Sequence, residues 1–171
     1  MTDSISLIKA TIENAEEICN LINTAYRGEK GWTKETNIVS GKRTNIEDVK
    51  SLLKNENSHL MMAIENTRII ACICVDRNEN QAYIGSLAVE PTFQNSGIGK
   101  KVLNLAEEYA INKLGSKELV MVVISQRSEL ISFYERRGYK RTGEIEDYPV
   151  HLNVGTPVLE GLTIEYLKKN T

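Results

Sequence analysis

Apolar residues recur every three or four positions in several parts of the chain, a spacing typical of helices with one buried face. The first such segment predicts a helix that ends near residues 26–28. Its buried face consists of Ile18, Leu21, Ile22 and Ala25. Asn14 and Glu17 have the spacing of a capping-box variant, so we expect Asn14 to cap this helix.

A second segment with helical spacing follows the potential caps Thr44 and Asn45. Its apolar face consists of Ile46, Val49, Leu52 and Leu53, and the polar residues 55–57 should end it. The connection between the two helices, residues 27–44, is long and has three interior glycines. Long connections in compact domains are often functional. Trp32 lies in it and either anchors the loop on the core or faces a ligand.

From residue 59 the pattern changes to apolar runs separated by short polar turns, as expected for strands. Strands are predicted at 59–65, 68–76 and 82–90, with turns at 65–67 and 77–80. Sequential strands joined by tight turns are antiparallel neighbours in the simplest topology. Residues 5–10, ISLIKA, predict a further strand near the N-terminus.

A strand–helix–strand unit is predicted over residues 82–124. Ser96 is the expected cap of a helix over residues 97–114. The inward face of that helix consists of Val102, Leu103, Ala106 and Ala110. Residues 118–124, ELVMVVI, are almost continuously apolar, which indicates a strand buried on both faces, as after a parallel crossover.

The remaining segments are a short helix that ends at Gly138 and two closing strands, at residues 139–145 and 162–168. The order of elements predicts an α/β (α+β) fold with a single domain over residues 1–171. We expect a central mixed, largely antiparallel, twisted sheet of about six or seven strands with helices on both faces.

Composition and charge narrow the class of protein. The formal net charge of −2 and the pI of about 5.8 provide no global field for nucleic acid or an anionic membrane. Three cysteines and no secretory leader argue against a disulfide framework. The two histidines lack the short ligand spacings of a zinc site, so no metal is expected. The expected location is cytoplasmic.

The segment QNSGIG, Gln94 to Gly99, lies between a predicted strand and a predicted helix. The first turn of a helix has backbone N–H groups without intrahelical partners, and the helix dipole adds positive charge there. Glycines at 97 and 99 would let an anion such as a phosphate approach closely. From these six residues alone, a simple connecting turn and an anion site are equally good readings.

The wider pattern resembles one known family. The motif Gln94-x-x-Gly97-x-Gly99 opens a helix, and Phe133-Tyr134-Glu135-x-x-Gly138-Tyr139 follows the next strand. Both motifs, in this order and in these settings, are similar to those of the GNAT superfamily of N-acetyltransferases. The resemblance covers residues 59–145 and, more loosely, residues 5–25.

The resemblance implies an acetyl-CoA-dependent N-acetyltransferase that moves an acetyl group to a primary amine by direct attack in a ternary complex. It also implies a sheet splayed between strands 82–89 and 118–124, with the cofactor in the opening. Tyr134 would be the catalytic acid that protonates the CoA thiolate. The implied cofactor-binding residues are Leu87, Ala88, Val89, Gln94, Asn95, Ser96, Gly97, Ile98, Gly99, Lys100, Ser125, Ser132 and Tyr134.

Two positions depart from the family pattern. Many members have a general-base glutamate on the strand before the phosphate turn, but this strand has no carboxylate until Glu90. Many also have an asparagine after the next strand, where this chain has Ser125 and Gln126. The open candidates for the base are Glu35, Glu118, His151 and an ordered water.

The acceptor site in the family is built from regions that correspond to residues 27–43 and 147–156. Its candidate liners are Trp32, Arg43, Tyr148 and His151. The expected acceptor is a small-molecule amine or a peptide amine. Two alternatives stay open: an acetyl-CoA-binding module with little turnover, and a transferase of another acyl group. Homodimers are common in the family, so a homodimer is compatible with the resemblance.

Overall fold

The computed structural model describes residues 4–28, 35, 37–152 and 154–171. The strands of this part of the chain are β1 (Ile8–Lys9), β2 (Val39–Ser40), β3 (Ser58–Glu65), β4 (Arg68–Asn78), β5 (Gln81–Val89), β6 (Glu118–Ile124), β7 (Lys140–Asp147), β8 (Thr156–Pro157) and β9 (Thr163–Asn170). The α-helices are α1 (Ala15–Arg27), α2 (Ile46–Lys54), α3 (Ile98–Asn112) and α4 (Ser128–Glu135).

Seven strands form one mixed sheet in the order β1-β3-β4-β5-β6-β9-β7. Only β5 and β6 pair in parallel within it, and all other neighbours are antiparallel. The short strands β2 and β8 form a separate antiparallel pair. The predicted fold class is confirmed, including the parallel crossover through α3.

Helices cover both faces of the sheet because its central strands are apolar on both sides. On one face, α1 and α2 pack against alternate residues of β3 and β4, including Cys72 and Cys74. On the other face, α3 and α4 pack on residues such as Ile73 and Val75. The predicted inward residues Val102, Leu103, Ala106 and Ala110 are all completely buried. The helices therefore pair with the sheet through the faces that their periodicity indicates.

One predicted helix cap is wrong, and a second is correct in position but not in its hydrogen bond. Asn14 is the N-cap residue of α1, but its side chain makes no capping hydrogen bond; its Oδ1 instead accepts from the Thr11 N–H at 2.8 Å, one turn earlier. Ser96 does not cap α3, because its hydroxyl donates to the Phe93 carbonyl. The N-cap of α3 is Gly97, whose φ of +85° lies in the left-handed region that favours glycine. By contrast, the Asn45 side chain caps α2 as expected, accepting from the Asp48 N–H at 2.8 Å.

The splay between β5 and β6 is confirmed and has a visible cause. Their parallel pairing covers only Gln81–Tyr83 opposite Glu118–Val120. Beyond Tyr83, a bulge interrupts the register of β5 with β4, and Ser86 in that bulge has a φ of +53°. A bulge bends a strand and increases its twist. β5 therefore turns away from β6, and a gap opens in the middle of the sheet.

The cysteines are packing residues, as predicted. Cys19, Cys72 and Cys74 are free and buried. Burial raises the pKa of the Cys72 thiol to about 12, so this thiol is protonated at neutral pH. Within the described residues, no group of three or more His, Cys, Asp or Glu side chains is placed to hold a metal ion. None of the described helices is long and apolar enough to cross a membrane.

Candidate active site

The turn before α3 forms the first part of the candidate site. Gln94 fixes it, because its Nε2 donates to the Val89 carbonyl at 3.0 Å. The first intrahelical hydrogen bond of α3 is donated by the Lys101 N–H to the Gly97 carbonyl, at 3.1 Å. The amides just before Lys101 have no acceptor one turn back along the chain. They therefore offer donors, together with the positive end of the helix dipole, to an anion.

The two glycines keep the space above this turn open. A Cβ built on Gly97 meets no atom within 4 Å, and one built on Gly99 meets only the Val89 Cγ2 at 3.7 Å. The positively charged Lys100 side chain is exposed beside them. This cradle fits a phosphate group, which needs donors, positive charge and room for its oxygens.

A cavity of about 350 Å³ extends from this turn into the gap between β5 and β6. The predicted site residues that line it are Leu87, Ala88, Val89, Gln94, Asn95, Gly97, Gly99, Lys100 and Tyr134. Further liners that sequence reasoning did not assign to the site are Ala25, Tyr26, Arg127, Leu130, Phe133 and Arg137. The structure thus brings together the two motifs and adds the ends of α1 and α4.

Four predicted site residues lie outside the lining of this cavity. Ile98 contributes its side chain to the core, where it is 1% exposed. Ser96 and Ser132 are exposed, and Ser132 lies on the outer side of α4. Ser125 follows β6 and donates its N–H to the Thr163 carbonyl at 2.9 Å. A cofactor role for these four residues stays a prediction. At Ile98, the backbone N–H suits this role better than the buried side chain.

Tyr134 lies in the wall of the cavity with only 7% of its surface exposed. Its ring packs edge-on against Phe133 and Tyr139, at centroid distances of 5.3 and 6.0 Å. Burial raises the pKa of its hydroxyl, and the nearby phenol of Tyr26 adds to this effect. The positive charges of Arg127 and Arg137 act in the opposite direction. The phenol is therefore protonated at neutral pH, which a general acid requires.

The cavity connects the two faces of the sheet. Tyr134 and Val89 belong to the core on the α3 side, whereas Ala25 and Ala88 belong to the core on the α1 side. One cavity can be lined by both groups because β5 and β6 separate at this point. A long ligand could thus bind the turn of α3 at one end and present its other end to α1.

A buried ionic cluster lies next to the inner end of the cavity. Glu35 is 4% exposed, and its Oε2 and Oε1 accept from Arg27 Nε and an Arg127 terminal nitrogen, both at 2.9 Å. Arg27 also donates to the Gly41 carbonyl at 3.0 Å and the Val154 carbonyl at 2.6 Å. The cluster joins α1, the first turn of α4 and the β2–β8 region.

None of the candidate bases among the described side chains lines the cavity. Both carboxylate oxygens of Glu35 are engaged by arginines. Glu118 lies at the closed end of the β5–β6 gap, where it accepts from the Gln81 amide and pairs with Lys168 at 3.4 Å. His151 is exposed on the short turn Val150–Leu152. An ordered water is the candidate that this geometry favours.

Glu35→Ala is expected to destabilise the protein by about 3–5 kcal/mol, because it leaves Arg27 and Arg127 buried without their carboxylate. Urea denaturation measures the change in the free energy of unfolding. Glu47→Ala is the matched control, since its pair with Lys50 at 3.8 Å is exposed and worth under about 1 kcal/mol. A fully stable but inactive Glu35→Ala variant would instead make Glu35 a catalytic group.

The other residues named for the acceptor region occupy different positions. Arg43 packs its guanidinium over the Tyr26 ring, 5.5 Å from the ring centroid. Tyr148 is buried, and its hydroxyl donates to the Val154 carbonyl at 3.0 Å. Gln126, at the position of the missing asparagine, bridges to the Gly161 carbonyl and the Thr163 N–H, both at 3.3 Å. Trp32 lies outside the described residues.

Comparison with known proteins agrees with this geometry. The sequence matches the model of the acetyltransferase (GNAT) family over residues 15–139. The fold and the family match define an N-acetyltransferase. The chain belongs to the acetyltransferase (GNAT) family. Comparison with curated protein sequences gives no significant match.

Solved structures share the fold over almost the whole chain. A GNAT family acetyltransferase from Elizabethkingia anophelis with acetyl-CoA bound is 21% identical, with 99% of each chain covered and a TM-score of 0.69. The PaiA N-acetyltransferase from Thermoplasma acidophilum in complex with coenzyme A is 22% identical, covering 98% of this chain and 99% of that one, at a TM-score of 0.65. A spermidine N-acetyltransferase mutant from Vibrio cholerae is 13% identical, with 97% of this chain and 93% of that chain covered and a TM-score of 0.72.

Proposed function

We propose that this protein transfers the acetyl group of acetyl-CoA to a primary amine, by direct attack of the amine within a ternary complex. The observation that carries the proposal is the continuous cavity from the glycine turn of α3, through the gap in the sheet, to the Tyr134 hydroxyl region. Acetyl-CoA is the cofactor that the family uses, and the Elizabethkingia anophelis neighbour has it bound.

The residues of the turn and of β5 fit this cofactor. The amides of residues 97–100 and the Lys100 side chain would hold its phosphates. Leu87, Ala88 and Val89 lie where β5 has left β6, so backbone groups on that side can pair with the amides of the pantetheine arm like an added strand. When bound, acetyl-CoA supplies an activated acetyl group in the gap.

The chain's own groups then support the transfer. A β5 amide near Leu87 or Val89 would donate to the carbonyl oxygen as negative charge develops on it. The amine nitrogen forms the new bond to carbon while the bond from carbon to sulfur breaks. Tyr134 gives its proton to the leaving thiolate, and Arg127 and Arg137 stabilise the phenolate that remains. The proton lost by the amine passes to water.

A binding module with little turnover is the second candidate. It is supported by one observation: no Asp or Glu side chain of the described residues lines the cavity. Such a module would bind acetyl-CoA, yet no amine would accelerate the release of CoA thiol. A transferase of a larger acyl group is distinguished by comparing acetyl-CoA with longer acyl-CoA thioesters in the same thiol-release assay.

Thermal denaturation with acetyl-CoA, CoA and ATP tests the cofactor. A ligand that binds the native state raises the free energy of unfolding by mass action, by about 2.7 kcal/mol at a ligand concentration of 100 times Kd. The unfolding midpoint rises with it. We expect acetyl-CoA and CoA to raise the midpoint and ATP to leave it unchanged. Equal midpoints with and without acetyl-CoA would contradict the proposed function.

A further inference from the structure

The charge at the inner end of the cavity indicates what the acceptor carries besides its amine. This end is formed by Ala25 and Tyr26 of α1 and by Arg127 at the start of α4. It lies on the α1 side of the sheet, across the gap from the glycine turn. In the proposed reaction, this is the side from which an acceptor meets the acetyl group.

Arginines outnumber carboxylates around Tyr26. Arg27, Arg43 and Arg127 lie in this region. Glu35 pairs with Arg27 and Arg127, and the exposed Glu129 lies 3.8 Å from the Arg127 Nε. Arg27 makes its further hydrogen bonds to carbonyl oxygens and to the Tyr148 hydroxyl, so its donors are used within the protein. Positive charge is left over at Arg43, for which the described part of the chain provides a Tyr26 contact and no ion pair.

The electrostatic environment of Tyr26 agrees with these positions. Burial raises the pKa of its phenol. Arg43 and Arg127 lower this pKa, whereas Glu35 raises it further. The geometry agrees, since Arg43 lies over the Tyr26 ring and Arg127 lines the same cavity as Tyr26. The charged side chains that line the whole cavity are Lys100, Arg127 and Arg137, which are all positive.

An acceptor with additional ammonium groups does not suit this surface. A polyamine would place positive charge against Arg127 and Arg43, with no described carboxylate in the cavity to compensate. A carboxylate suits it well, because guanidinium groups bind carboxylates through paired, charge-assisted hydrogen bonds. The acceptors of this protein and of the spermidine N-acetyltransferase from Vibrio cholerae should thus differ in charge.

We propose that the acceptor is a small amine that also carries a carboxylate, such as an α-amino acid, and that Arg43 and Arg127 bind this carboxylate beside Tyr26. The proposal rests on the proposed function, since it concerns the acceptor of the same transfer. It assigns Arg43 and Arg127 to acceptor specificity, in addition to the effect of Arg127 on Tyr134, and it leaves Lys100 for the cofactor.

The test is a thiol-release assay with matched acceptors on the full chain. The proteinogenic L-amino acids are compared with their C-terminal amides, with their decarboxylated amines, and with spermidine. We expect acetylation of at least one amino acid, with kcat/KM lower by about tenfold or more for its amide, because the arginines then lose their partner. Equal rates for acid and amide, a preference for spermidine, or no reaction with any carboxylate would overturn the proposal.

Two variants link the preference to the residues. Arg43→Gln should raise the KM for the amino acid by about tenfold and leave the midpoint shift with acetyl-CoA unchanged. Arg68→Gln, at the exposed β3–β4 turn, is the matched control and should behave as the wild type. A wild-type KM in Arg43→Gln would contradict the assignment of Arg43. If the wild type shows no midpoint shift with acetyl-CoA, the proposed function itself is contradicted. Failure of the acceptor assignment and failure of the proposed function are therefore distinguishable.

Discussion

Tyr134→Phe is expected to lower kcat by roughly 10²- to 10⁴-fold, the usual contribution of a general acid. Only the hydroxyl is removed, and the edge-on contacts of the ring with Phe133 and Tyr139 are preserved. Binding of acetyl-CoA should therefore change little. Steady-state thiol release gives kcat, and the ligand-induced midpoint shift gives binding. Because burial raises the pKa of Tyr134, wild-type activity should not fall through ionisation of this phenol below pH 10.

Tyr166→Phe is the matched control for this experiment. The Tyr166 hydroxyl bonds to Glu146 at 3.1 Å on β9, outside the cavity, and its loss should not affect turnover. A Tyr134→Phe enzyme with the wild-type rate would make Tyr134 a packing residue. A folded variant that no longer binds acetyl-CoA would place its hydroxyl in cofactor binding instead of proton transfer.

Gly99→Glu is expected to weaken acetyl-CoA binding at least 100-fold, which corresponds to about 2.7 kcal/mol. Gly99 needs no left-handed backbone, and an added Cβ meets only Val89 Cγ2 at 3.7 Å, so the fold should tolerate the change. The new carboxylate would lie where the phosphates of acetyl-CoA are expected. The negative charges of the carboxylate and the phosphates would then repel each other at close range. Isothermal titration with acetyl-CoA measures the effect. Gly97→Glu should act in the same direction, with added backbone strain from its φ of +85°.

The control places the same charge elsewhere on the same helix. Asn104 is exposed on α3, away from its first turn, so Asn104→Glu should bind acetyl-CoA as the wild type does. Circular dichroism confirms that each variant is folded. Unchanged affinity in folded Gly99→Glu would remove the anion site, and the turn would then be a simple connection.

The parts of the fold that the sequence predicted best are those with a strong local pattern. The helix over 98–112 has the apolar spacing of a helix with one buried face, and the apolar run over 118–124 has the length of a buried strand. Strands β2 and β8 were missed because two-residue strands have no periodicity. The cap of α3 was misassigned because serine is the commoner cap by composition, whereas the backbone at Gly97 requires a left-handed residue.

The candidate site was predictable where residues are neighbours in sequence. The turn at 94–99 and Tyr134 belong to short motifs, and both line the cavity. Tyr26, Arg127 and Arg137 were not assigned because they reach it through tertiary packing of α1 and α4. The available signals were the position of Tyr26 in the last turn of a helix and that of Arg127 between a strand and the next helix. The bulge at Ser86 had no signal, since serine rarely adopts a positive φ.

The short pairing between β5 and β6 has a consequence for the lifetime of the protein. Three residue pairs at one end join the half-sheet β1-β3-β4-β5 to the half-sheet β6-β9-β7, and the seam is open beyond them. A ligand that fills the seam adds its binding free energy to the stability of the native state. Proteases attack opened molecules, so cellular turnover of this protein would slow when its ligand is abundant and quicken in starvation. The amount of enzyme would thereby follow the supply of its own substrate.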